Sequence, residues 1–331
     1  MTGATGFLGR YVVAAALERG HQVRALVRPA SGAVPESWRD RSDVELVSAD
    51  LRRADGLVQS VAGVDAVLHL AAAKTGDLYE QFSGTVIATE NLLSAMAAAQ
   101  VRSLVLISSF SVYEYLKRRS WSVLDEASPL ATKPFERDEY CQTKLVQERI
   151  ALDHAHDHSC RCIVLRPGVI FGRDNLWTAR LGAQAGQRRW IRMGTFAPLP
   201  LTYVENCAEA VVLAAEYQGS EQTLILNVID DRTPSQRAYM RRLRRVVSPR
   251  PRIIPLPWTV VRGLARAAWL FNRIFLGGTA KVPSLLVPCR LHARCKPLRY
   301  TNRKIVETLG WKPRYAWPEG LTRSTTPVET A

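Results

Sequence analysis

From Phe7 onward, stretches with a helical apolar repeat alternate with short runs rich in Val, Leu and Ile. Leu8, Val12, Val13, Ala16 and Leu17 share one stripe, which predicts a helix over residues 7–19, and Gly20 stops it. The runs from Val23 to Val27, Val44 to Val47, Ala66 to Leu70, Leu104 to Ser108 and Cys162 to Leu165 have the length and composition of buried strands. Strands that alternate with helices predict an α/β chain whose strands form a doubly wound parallel sheet. Past about residue 172 the alternation weakens and the chain becomes Arg-rich, Pro-punctuated and aromatic. The expected organisation is a first unit over 1–172 and a smaller lobe over 173–331. Residues 204–230 are expected to return to the first unit, with Thr223 to Val228 as a further strand of its sheet.

With 331 residues, 47% of them hydrophobic and 23% charged, the chain can bury a substantial core. The formal net charge of +15 favours an anionic partner: a nucleotide diphosphate, an acidic membrane surface or nucleic acid. The six cysteines form no even framework, which predicts a reducing, cytoplasmic setting. No apolar stretch reaches the roughly 18 residues of a membrane span, and no secretory signal precedes the first glycine motif. The strand expected ahead of that motif is reduced to Met1-Thr2, so the first strand is read as truncated or as having its true start upstream.

Two motifs carry chemistry. The segment Gly3-Ala4-Thr5-Gly6-Phe7-Leu8-Gly9 has the Gly-x-x-Gly-x-x-Gly spacing of a turn that lets backbone N–H groups approach a pyrophosphate at a helix N-terminus. It predicts a Rossmann-like dinucleotide site. Far downstream, Tyr140 and Lys144 stand four apart and so share one helical face. The expectation is that the ammonium lowers the phenol pKa from about 10 toward working pH, making Tyr140 a general acid/base. Arg28 follows the second predicted strand where an acidic residue would grip a ribose 2′-hydroxyl, and a cation there suits the 2′-phosphate of NADP; NAD stays open.

The residues together resemble the extended short-chain dehydrogenase/reductase family, which includes sugar-nucleotide epimerases and dehydratases and the 3-beta-hydroxysteroid dehydrogenases. Beyond the glycine turn and YxxxK, the resemblance rests on five ordered motifs. These are His69-Leu70-Ala71-Ala72, Ser108-Ser109-Phe110-Ser111-Val112-Tyr113, Arg166-Pro167-Gly168, Tyr203-Val204-Glu205-Asn206 and Leu309-Gly310-Trp311-Lys312-Pro313. It implies Ser109 as the hydroxyl partner of Tyr140, with Ser108 and Ser111 as alternatives, and Lys144 as a ligand of the nicotinamide ribose. It also implies cofactor contacts from Gly3, Thr5, Gly6, Phe7, Leu8, Gly9, Asp50, Leu51, Ala71, Ala72, Pro167 and Gly168.

The resemblance further implies an NAD(P)-dependent oxidoreductase or epimerase acting at a secondary alcohol or ketone, most simply of a nucleotide sugar. Some positions depart from the family. Phe110-Ser111 replaces the Asp-Glu pair of the dehydratases, which disfavours dehydration. Leu199 stands where many epimerases place a phosphate-binding Arg, and Asn206 replaces the second Asp of the V-D-D pattern, both pointing toward a lipophilic ketone or steroid-like alcohol instead. Thr85 and Ala88 replace the Asn and Gly of the family's N-V-x-G-T-x-N-L-L helix. A protein that binds the nucleotide without turnover is the reading from a different class, and the intact Ser109, Tyr140 and Lys144 set argues against it.

The alternating His154, His156, His158, Cys160 and Cys162 invite a zinc site, but i, i+2, i+4 ligands converge only on an extended strand, whereas this segment reads as a helix end; no metal is expected. Basic residues from Arg237 to Arg245 predict a basic helix, and residues 257–271 predict an amphipathic one carrying Arg262 and Arg266. That pair leaves peripheral membrane contact open alongside lid packing. No nucleic-acid module is recognisable, so no nucleic-acid partner is expected, and a homodimer is left open.

Overall fold

The computed structural model describes residues 1–29, 34–186, 188–194, 196–275, 277 and 287–326. Six strands build the main sheet: β1 (Val23–Val27), β2 (Val44–Ser48), β3 (Val67–His69), β4 (Ser103–Ile107), β5 (Arg161–Pro167) and β6 (Thr223–Val228). Parallel ladders join β2 to β1 and run on from β3 through β4 and β5 to β6. Residues 161–167 are almost wholly buried, as expected of a parallel strand covered on both faces.

The gap between β1 and β3 is spanned by the short stub that the sequence leaves there. Thr2 bridges in parallel to both Leu26 and His69, its N–H donates to the Leu68 carbonyl at 2.9 Å, and the Met1 carbonyl accepts from the Leu26 N–H at 2.9 Å. Two residues therefore hold the centre of the sheet together, where a full strand is usual.

Helices cover both faces. On one side α1 (Phe7–Glu18) packs on the later helix Val204–Ala215 through Val12, Val13, Ala16, Val204, Cys207 and Val211. On the other side lie α2 (Ala88–Ala98) and α3 (Glu139–Asp157), whose Leu92, Met96, Ala151 and Ala155 meet Leu104, Cys162 and Val164. The helix Val204–Ala215, here α4, and β6 complete the sheet half. His154 and His156 sit in the last turn of α3 and Cys162 on β5, so the His/Cys segment is a helix end leading into a strand.

The smaller lobe has its own three-stranded sheet, in which Arg189–Met193 pairs antiparallel with Gly182–Gln184 and parallel with Arg252–Leu256. Three helices accompany it: α5 (Gln236–Val246), α6 (Trp258–Phe275) and α7 (Pro288–Cys295). Among the described residues, Met193, Val261, Ala265, Leu291 and Cys295 form a buried cluster there.

Candidate active site

The glycine turn is shaped by close approaches. Gly3 has φ +68°, and a Cβ there would lie 2.8 Å from the Ala71 nitrogen. A Cβ on Gly9 would collide with the carbonyl oxygens of Gly3 and Ala4, so α1 can start this tightly against the turn only with glycine. Gly6 is the N-cap residue, its N–H donating to the Gly3 carbonyl at 3.0 Å, and α1 points its N-terminus at the junction of the Met1-Thr2 stub with β3. That junction is where the strand order reverses, the usual place for a dinucleotide in a doubly wound sheet. A cradle that any side chain would fill, at a helix N-terminus, fits a pyrophosphate.

The remaining expected cofactor contacts divide into groups that face this turn and groups with another occupation. Ala71 and Ala72 continue from β3 beside Gly3, and the Ala71 N–H donates to the Thr2 hydroxyl at 3.3 Å. The Thr5 carbonyl accepts from Arg10 Nε at 3.1 Å. Leu8 is a core residue of α1, whereas Phe7 is partly buried and stacks edge-on with Tyr11. Arg28 and Asp50 follow the neighbouring strands β1 and β2, and Arg28 is exposed and contributes to the field on Asp50. Asp50 is gripped by Arg52 through both carboxylate oxygens, which holds its pKa down at about 2. The Leu51 carbonyl accepts from Asn91 Nδ2 of α2 at 2.9 Å. Pro167 ends β5, and Gly168 has a packing reason of its own, since a Cβ there would strike the Pro200 carbonyl.

Tyr140 and Lys144 lie on α3, which Asp138 caps by accepting from the Cys141 N–H at 2.9 Å. The Ser109 hydroxyl, just past β4, is within hydrogen-bonding reach of the Tyr140 phenol and accepts from the Ser111 N–H at 3.1 Å. Ser108 is occupied elsewhere: its hydroxyl donates to the buried Glu148 carboxylate, which also receives Arg166 in a two-point pair at 2.9 and 2.6 Å. Of the three serines, Ser109 alone meets the phenol.

The expectation that Lys144 lowers the Tyr140 pKa is corrected here. Burial pushes the Tyr140 phenol up to about 12, with the Ser109 hydrogen bond pulling weakly the other way. The Lys144 ammonium is itself buried and tethered, donating to the Ile107 carbonyl and to Gln147 Oε1, each at 2.7 Å, and it sits 5.9 Å from the Tyr140 ring centre. Burial, together with the nearby charge of Lys74, brings Lys144 down to about 7. In this arrangement the Lys144 amine is engaged by the Ile107 carbonyl and Gln147 Oε1.

Behind Lys144 runs a buried polar chain that the motifs do not announce. Gln147 Nε2 donates to the Thr89 hydroxyl at 2.8 Å, and Thr89 donates to the Thr85 carbonyl. His69 lies between the Thr89 hydroxyl, 2.8 Å from Nε2, and the Thr2 hydroxyl, 2.7 Å from Nδ1. Because Thr89 has already spent its proton, the pattern is satisfied with His69 protonated on Nε2 and accepting from Thr2 on Nδ1. Burial pushes the imidazole down to about 3, so it is neutral and serves as a fixed strut. The chain links Lys144 to Thr2 at the foot of the glycine turn. Gln147 could have been found from its position three residues past Lys144 on the same face; Thr2 and Thr89 carry no local signal. Thr85, which replaces the family's Asn, accepts from the Ala73 N–H at 3.0 Å.

A family model described as "NAD dependent epimerase/dehydratase family" matches residues 1–228. Over 329 residues, 97% of this chain and 93% of the relative, the protein is 26% identical to a 4-hydroxy-2-methyl-3-oxo-4-farnesyl-3,4-dihydroquinoline-1-oxide ketoreductase of Stigmatella aurantiaca. It is 32% identical to cinnamoyl-CoA reductase 1 of Petunia hybrida over 180 residues, 52% of this chain and 54% of that one. It is 30% identical to a 3-beta-hydroxysteroid dehydrogenase of Mycolicibacterium neoaurum over 229 residues, 66% of this chain and 60% of that one. The chain thus spans little more than half the length of the latter two. Among solved structures, the UDP-Glc/GlcNAc 4-epimerase of Campylobacter jejuni superposes with a TM-score of 0.75 at 16% identity, covering 98% of this chain and 96% of that one, a likeness of fold.

Proposed function

The chain belongs to the NAD dependent epimerase/dehydratase family, and on that premise we propose that it is an NAD(P)-dependent reductase or dehydrogenase of a lipophilic ketone or secondary alcohol. The observation that carries the reading is geometric: Tyr140 and Lys144 share one face of α3, and Lys144 is joined through Gln147 and His69 to Thr2 at the foot of the glycine turn, which supports a proton-donating phenol beside the cofactor cradle. The nicotinamide cofactor supplies hydride when bound, with the turn from Gly3 to Gly9 and residues Ala71 and Ala72 holding it, and Arg28 selecting NADP. Tyr140 gives its proton to the carbonyl oxygen that becomes the alcohol. Ser109 orients that oxygen by sharing the phenol's hydrogen bond, and Lys144, fixed through Gln147, grips the ribose edge.

The lipophilic substrate class is supported by Leu199, which is fully buried where epimerases present a phosphate-binding arginine, and by the reductases among the sequence relatives. Asn206 adds less than its place in the motif implies. It is a buried pin, donating to Asp230 and the Tyr315 carbonyl and accepting from the Tyr315 N–H. One feature favours the nucleotide-sugar reading as the alternative: half-buried Arg192 lies in the field of Arg237 and Arg241, a convergence of cations suited to a diphosphate. The test is a turnover screen with NADPH and NADH against lipophilic β-ketones, steroid ketones and UDP-sugars. Turnover of ketones alone supports the proposal, and epimerisation of a UDP-sugar without net cofactor oxidation overturns it.

A further inference from the structure

Between Arg232 and Val306 the sequence carries 18 Lys and Arg and not one Asp or Glu. With a net charge of +15 for the whole chain, everything outside this stretch is close to neutral, so the basicity is concentrated in this stretch, which holds α5, α6 and α7. Inside it, α6 has three distinct faces. Val261, Ala265 and Asn272 are buried against the lobe. Arg262, Arg266 and Arg273 share a second face at i, i+4, i+11 spacing, and the Arg273 guanidinium lies 5.3 Å over the Trp269 ring.

The third face is apolar and uncovered among the described residues. Val260, Leu264, Phe271 and Phe275 recur at i, i+4, i+11 and i+15, flanked by Ile274, and they are 46%, 56%, 56%, 70% and, for Ile274, 62% exposed. A single exposed leucine is ordinary, but a contiguous stripe of large side chains along a helix about 27 Å long marks a contact surface. No helix among the described residues is long and apolar enough to cross a membrane.

We propose that this lobe docks on an anionic membrane surface, with α6 lying in the headgroup plane, its apolar stripe inserted and the acid-free arginine field around it holding acidic lipids. The chemistry selects this occupant over two others. A polyanionic nucleic acid would use the arginines but leave the phenylalanine stripe in water. A second copy would press one acid-free face on another, with like charges opposed and no carboxylate in the segment to relieve them. The inference does not depend on the activity proposed above, because vesicle binding is read whatever substrate the protein turns over.

The experiment is co-sedimentation of the full chain with phosphatidylcholine vesicles, with and without phosphatidylglycerol, at low and high salt. The expected result is binding to the anionic vesicles at least about tenfold tighter than to neutral ones and weakened by salt. Leu264→Glu/Phe271→Glu, both solvent-facing, should abolish it while melting temperature and turnover hold. Arg262→Gln/Arg266→Gln/Arg273→Gln should lose the anionic preference. Several results overturn the proposal: no vesicle binding, equal binding to both lipids, or binding undiminished in the Glu variant. Self-association abolished by Phe271→Glu would assign the stripe to a second copy, and DNA binding that survives Phe271→Glu, without vesicle binding, would assign the basic field to nucleic acid.

Discussion

Arg166, on β5 of the sheet half, and Arg241, on α5 of the lobe, meet opposite surroundings. The first is 2% exposed, bonded at two points to Glu148, and stacked 4.9 Å over the Tyr113 ring. The second stands in solvent, with Arg192 among the charges it acts on. Burial turns a charge into a geometric commitment, because an unpaired ion inside the protein has nowhere to find a substitute partner. A solvated charge commits the fold to nothing and remains free to serve a surface. Arg166 is thus specified by its partners, while Arg241 counts only toward the charge of the surface it stands on.

The sharpest way to break this contrast is to make the same truncation in both places. Arg166→Met should cost about 3–5 kcal/mol, since it strands Glu148 in the interior with only the Ser108 hydroxyl. Arg241→Met should stay within about 0.5 kcal/mol. Denaturant titration reads both, and a double variant Glu148→Met/Arg166→Met should recover most of the loss. Comparable effects at the two arginines would show that the lobe is as tightly specified as the sheet.

Tyr140→Phe probes the same half by function instead of stability. Removing the phenol oxygen while keeping the ring should lower turnover about 100-fold or more and leave cofactor affinity nearly unchanged. A drop in cofactor affinity with little change in kcat would mean that Tyr140 is a wall of the site and not its acid.

How much of this was legible in the sequence follows the same division. The strands of the sheet half stood out because residues buried on both faces make short, mainly apolar runs, and Val23–Val27 and Thr223–Val228, interrupted only by Arg24 and Asn227 between their ends, match their expected bounds. In the lobe, Gly182–Gln184 is a strand of Gly-Ala-Gln, and Arg252–Leu256 is largely solvent-facing and contains Pro255. Neither has a pattern, and only their pairing with Arg189–Met193 makes them strands. Within the site, Tyr140 and Lys144 were visible as a helical spacing, but the direction of the Lys144 amine was not. The Ile107 carbonyl and Gln147 that claim it are brought together by tertiary packing. The spacing argument for a lowered phenol pKa does not contain that orientation.

Lys144→Met turns that orientation into a pH measurement. The amine titrates near 10.4 in an unfolded chain and at about 7 in the fold, so between these values the unfolded state holds the extra proton. This group's contribution to stability therefore rises with pH across the window from 7 to 10 and is lost as pH falls through 7. The variant should show a flatter melting temperature from pH 7 to 10 than the parent. An unchanged slope would mean that the ammonium keeps its charge through its two acceptors.

The smallest effect is expected at the rim, at an exposed arginine of the sheet half. Arg28 is exposed at the end of β1, close enough to act on Asp50, which Arg52 already grips. Its proposed role is attraction of the NADP 2′-phosphate, an interaction made in water and screened by salt. Arg28→Asp should therefore shift the NADP-to-NAD affinity ratio toward NAD by about tenfold and leave the melting temperature within a degree or two, as is usual for a substitution at an exposed position. Titrating both cofactors at low and high salt checks the physics as well as the residue: the shift should shrink as salt rises. A ratio that does not move would place cofactor selection on a buried contact, and the contrast between interior and exposed charges would then end short of this site.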